Sequence, residues 1–88
     1  MAHKWTESDD LAAFYVHKFG VEHLPFTIEE IATSKKIEVG SFRMRILNFR
    51  ALDGNGGLDH YARQTKDIFE RYQNLSEAEL RRIAFPDL

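Results

Sequence analysis

The sequence predicts an all-α fold, a compact bundle of about five short helices that contains a helix-turn-helix. Three observations carry this expectation. Helix-capping side chains recur, each with an acidic partner three residues on: Thr6 with Asp9, Thr27 with Glu30, Ser76 with Glu79. Apolar residues follow these caps at the helical period. No stretch shows the alternation of apolar and polar residues that marks a half-buried strand.

The first helix is expected over about 7–19. Thr6 caps it, Glu7, Asp9 and Asp10 favour the positive end of its dipole, and Gly20 ends it. Leu11, Phe14, Tyr15 and Phe19 form its inner face, with Trp5 packing beneath. The second, about 28–34, has Thr27 as cap and Phe26 with Ile31 at the positions of a hydrophobic staple. The third, about 40–52, carries Phe42, Ile46 and Phe49 on one side, with Val39 just before it. It stops before the turn sequence DGNGG. The fourth, about 60–73, is capped by Asp59, with Tyr61, Thr65, Ile68, Phe69 and Tyr72 facing inward. The last, about 77–85, repeats the cap logic at Ser76 with Leu75 and Leu80 as staple, and Pro86 marks its stop.

The totals bound the function. A chain of 88 residues makes one small domain, 1–88. Hydrophobic and charged shares of 43% and 30% fit an ordinary globular chain. With no cysteine, disulfides, thiolate catalysis and cysteine-bound zinc are excluded. No apolar run approaches the roughly 20 residues that span a bilayer. The opening MAHKWTESDD lacks the apolar core of a signal peptide. A soluble, cytoplasmic protein with no membrane partner is expected.

Net charge is −2, so contact with nucleic acid has to rest on how charge is distributed. The distribution is uneven. Lys35 to Arg50 holds five of the twelve basic residues and one of the fourteen acidic ones, a balance of +4, which leaves −6 for the rest. Such segregation creates a local positive field on an acidic chain. A short capped helix, a brief break and a longer basic helix also trace the outline of a helix-turn-helix, whose second helix enters the DNA major groove.

At about 100° per residue, Ile46 and Phe49 fall within about 40° of Phe42 on the third helix. Ser41, Met44, Asn48 and Ala51 fall on the far side, with Arg43 and Arg50 along one edge and Arg45 along the other. Phosphate contacts are expected from Lys35, Lys36, Arg43 and Arg50. Base or groove contacts are expected from Ser41, Arg45 and Asn48, with Met44 as an apolar contact. Solvated charge, or basic residues favoured by a helix C-terminus, explains part of this pattern without a ligand. The expected partner is double-stranded DNA, with a homodimer through the last two helices to raise affinity. The rival is a protein-interaction module in which the same basic face docks an acidic partner.

No constellation supports an enzyme. The carboxylates sit at helix starts, where capping explains them, and no Ser–His–Asp pattern is present. Among the four histidines only His17 and His60 offer to converge, so neither a metal site nor a cofactor is expected. DGNGG offers an anion nest or a plain turn, without the residues of a phosphate-binding loop.

The stretch WTESDDLAAFYVHKFG begins like the tryptophan-led acidic first helix of Myb-like domains. GSFRMRILNFRALDGNGGLDHYARQTKDIFERY resembles a helical module of bacterial restriction-type proteins that often precedes an HNH nuclease domain. Ser41, Phe42, Met44, Arg45, Asn48, Phe49, Leu52, Asp53, Gly57 and Leu58 carry that resemblance, with Trp5 and Tyr72 in keeping. It implies a DNA-binding or DNA-sensing module tied to restriction, phage defence or mobile elements in bacteria or phage. No nuclease constellation follows before Leu88, so the implication concerns binding and not cleavage. It also opens a second role for Asn48, fixing the helix end and glycine loop together with Asp53.

Overall fold

Thr6, Thr27 and Ser76 each start a helix, as their spacing predicts. In the computed structural model, which describes residues 4–54 and 62–88, the helices are α1 (Glu7–Phe19), α2 (Ile28–Ser34), α3 (Val39–Leu52), α4 (Arg63–Tyr72) and α5 (Glu77–Ala84). There is no strand among the described residues. All three caps close as reciprocal boxes. The Thr6 hydroxyl accepts from the Asp9 N–H at 3.1 Å, while the Asp9 carboxylate accepts from the Thr6 N–H at 3.0 Å. Thr27 with Glu30, and Ser76 with Glu79, repeat the exchange. Each box satisfies two backbone donors that a helix start would otherwise leave open.

Helices α3 and α4 begin differently. Neither Glu38 nor Ala62, their N-cap residues, caps with its side chain. The expected Asp59 cap and the inward place of Tyr61 lie outside the described residues. At the C-terminal end, α5 stops one residue short of expectation, although the Phe85 N–H still reaches the Arg81 carbonyl at 2.8 Å.

Helix α1 is the centre of the molecule. Eight successive residues, Asp9 to Val16, are buried, so the helix is enclosed on every side and not just along one stripe. It packs against α3, α4 and α5, and α2 packs against α3. Ala12 and Ala13, which the apolar spacing passes over, make this enclosure feasible: with side chains this small, neighbouring helices can approach closely. Phe14 meets Phe49 of α3 at a ring separation of 5.0 Å and Phe69 of α4 edge-on at 6.0 Å. Tyr15 meets Phe85 edge-on at 5.4 Å, which ties down the C-terminal end. Trp5 stacks on Phe42, rings 6.4 Å apart and nearly parallel, so it packs against α3.

The connection from α2 to α3 is tight. Lys36 adopts a left-handed backbone with φ +59°. The Ile37 N–H bonds the Ala32 carbonyl at 2.9 Å, and the Lys36 N–H bonds the Thr33 carbonyl at 3.0 Å. These two bonds form a Schellman motif, and the buried Ile37 supplies its apolar contact.

Candidate nucleic-acid interface

Helix α3 has three longitudinal strips, each set by the helical period. Phe42 and Phe49 are fully buried and hold the helix on α1. On the opposite side Ser41 and Met44 are exposed, and Asn48 and Ala51 are half-buried. Met44 is 53% exposed. Between these strips, Arg43, Leu47 and Arg50 form an exposed edge, with Leu47 at 42%. No side chain caps α3, so the N–H groups of its first turn, near Ser41, are open to water or to an anion.

The expected basic residues divide into two groups. The side chains of Arg50 and Lys36 are exposed and form no hydrogen bond or ion pair among the described residues. Arg43 is exposed and pairs with Glu29 of α2 at 2.5 Å, both side chains more than half open to solvent. Glu29 is held below the usual carboxylate range, first by a hydrogen bond from its own backbone N–H and then by Arg43. An exposed pair of this kind exchanges readily for another anion, because solvent screens it and holding two long side chains in one geometry costs entropy.

Lys35 and Arg45 stand apart from this group. Lys35 turns back to α1, 3.8 Å from the Asp9 carboxylate and 3.4 Å from the Ser8 hydroxyl, with only 18% of its side chain exposed. Arg45 requires the larger correction. Expected as a base contact at the rim, it lies in the interior with 12% of its side chain exposed. Its Nε and Nη2 donate to the two oxygens of Asp10 at 2.6 and 2.9 Å. Its guanidinium lies over the Trp5 ring, 4.2 Å from the centroid. The physical reason is angular: Arg45 stands about 60° from Phe42, inside the stripe that α3 buries.

Asp10 is the residue that sequence reasoning missed. Assigned there to the dipole of α1, it is 0% exposed and joins three helices. Besides Arg45 of α3, it accepts from Gln64 Nε2 of α4 at 2.6 Å and from the Thr65 hydroxyl at 3.3 Å. Gln64 also donates to the Trp5 carbonyl at 3.2 Å. Every buried side-chain polar atom among the described residues has a partner. The signal available in the sequence was position: Asp10 falls within the run that α1 buries, and only a partnered carboxylate survives there.

The alternative role for Asn48 finds no hydrogen bond to Asp53. Asp53 instead accepts at the end of α1, its Oδ2 3.2 Å from His17 Nε2, while its backbone N–H closes α3 on the Phe49 carbonyl at 3.0 Å. His60, the other half of the histidine pair, and the glycines beyond Gly54 lie outside the described residues. Among the described residues no group of three or more His, Asp or Glu side chains could hold a metal. No described helix is long and apolar enough to cross a membrane.

No family model matches the chain, and no curated protein or solved structure matches it either.

Proposed function

We propose that the protein is a small DNA-binding module of the helix-turn-helix kind, with α2 and α3 as its two helices. The outward strip of α3 faces the duplex. The observation that carries this reading is the conjunction on α3 of an unobstructed strip, Ser41–Met44–Asn48, with two exposed guanidinium groups beside it. Arg43, Arg50 and Lys36 take phosphate oxygens, and Ser41 and the open first turn of α3 assist them. Asn48 reads a base edge, for which its amide offers one donor and one acceptor side by side. Met44 lies against a thymine methyl or a sugar. Arg45 and Lys35 act only by holding α3 in place.

Three phosphate contacts make weak binding, so a single copy binds duplex DNA with little sequence preference, and a second copy or tethered module supplies tight binding. Charge reversal tests the assignment. Arg50→Glu lowers affinity for a mixed-sequence duplex by about tenfold, whereas Arg82→Glu, on the exposed side of α5, changes it less than about twofold. Equal losses from the two variants would reduce the effect to net charge and remove α3 from the interface.

A further inference from the structure

Beside the outward strip of α3 lies a groove whose apolar lining the DNA reading does not use. Val16, Val21, Ile28, Ile46 and Leu47 line its floor and sides, and Arg43 and Arg50 rim it, with an open volume of about 740 Å³. The walls come from the end of α1, the segment after it, the start of α2 and the edge of α3. Two residues of its lining are already bonded to carboxylates, Arg43 to Glu29 and His17 to Asp53. Arg50 has no such partner among the described residues.

The two arginines are spaced for a specific occupant. Seven residues apart on one helix, Arg43 and Arg50 stand about 10.5 Å apart along the axis and within about 20° of the same side. A helix laid alongside α3 meets both with carboxylates that are themselves seven residues apart. Apolar residues three and four positions after the first carboxylate share that face and point into the groove. We propose that this groove docks an acidic amphipathic helix of a partner protein, its two carboxylates on Arg43 and Arg50 and its apolar side chains on Ile28, Ile46 and Leu47.

None of the described helices of a second copy meets this requirement. The acidic residues of α1 are Glu7, Asp9 and Asp10, those of α2 are Glu29 and Glu30, those of α4 are Asp67 and Glu70, and those of α5 are Glu77 and Glu79. No described helix therefore carries two carboxylates seven apart. Nor does the proposal rest on DNA binding, and either can fail without the other. Because both draw on Arg43 and Arg50, the partner helix and a duplex compete for the protein.

The test is a titration of the isotope-labelled protein with a synthetic helical peptide, followed by amide chemical shifts. The peptide carries glutamates seven apart with leucines three and four positions after the first, and a control carries lysines in place of those glutamates. Saturable shifts at Val21, Ile28, Leu47 and Arg50 are expected, with no saturable response to the control. Leu47→Asp and Arg50→Glu, both at exposed positions, each weaken the peptide about tenfold while the circular dichroism spectrum stays helical. Absence of shifts at millimolar peptide, equal binding of the lysine control, or shifts confined to another face would overturn the proposal. So would groove shifts that grow with protein concentration alone, which assign the groove to a second copy, or groove shifts with a duplex and none with the peptide.

Discussion

Arg45 shows how one residue can decide the reading of a helix. By type it belongs with the cations expected to contact DNA, but by position it belongs to the core. Its bidentate bond to Asp10 and its stack on Trp5 tie α3 to α1 and to the N-terminal segment, while Gln64 and Thr65 bring in α4. Removing one partner leaves a buried charge uncompensated. Arg45→Ala is expected to cost roughly 3–5 kcal/mol in urea denaturation. Arg45→Lys recovers only a small part, because an ammonium supplies neither the two-pronged bond nor the stack. The folded fraction of either variant should bind DNA as the parent does, which separates a holding role from a contact role. Tyr15 gives a second prediction at this scale. Burial, with the hydrogen bond to Glu77 at 2.6 Å and that residue's charge, pushes its phenol up to about 12. The folded state then keeps a proton that the unfolded chain releases at about 10. The contribution of Tyr15 to stability is therefore full below about pH 10 and is lost as pH rises from about 10 to about 12. Alkaline denaturation of Tyr15→Phe should show a flatter limb across that window.

At the scale of the element, local chemistry was legible and packing was not. Three capping boxes placed the starts of α1, α2 and α5, because a cap is a bond between residues three apart and needs no tertiary context. The enclosure of α1 was hidden, since alanines and buried acids register as neutral or polar in a pattern of large apolar residues. The core-facing place of Arg45 was present in the helical angle but was outweighed by residue type. The left-handed Lys36 was also hidden: glycine or asparagine usually marks such a position, and lysine gives no signal. Holding a side chain there costs about 1–2 kcal/mol per residue. Lys36→Gly is accordingly expected to raise stability by about 0.5–1 kcal/mol in thermal or urea unfolding, part of the relief being offset by glycine's freedom in the unfolded chain. The same substitution removes one proposed phosphate contact, so stability rises while DNA affinity falls. A parallel rise or fall of both would break that assignment.

For the molecule as a whole, the charge balance that drew attention to the basic stretch changes once the chain is folded. Of its five cations, Lys35, Arg43 and Arg45 face Asp9, Glu29 and Asp10 from outside the stretch. The positive field at α3 is therefore smaller than the linear count implies, and Lys36, Arg43 and Arg50 remain its solvent-facing sources. This sets a number for the central claim. Each phosphate neutralised contributes about 0.9 to the slope of log affinity against log salt. Fluorescence anisotropy of a labelled mixed-sequence duplex across a salt series measures that slope directly. Binding with a slope of about −3, falling to about −2 in Arg50→Glu, is the predicted result. No binding at the lowest salt, or a slope that Arg50→Glu leaves unchanged, would contradict the claim that α3 is a DNA-binding face.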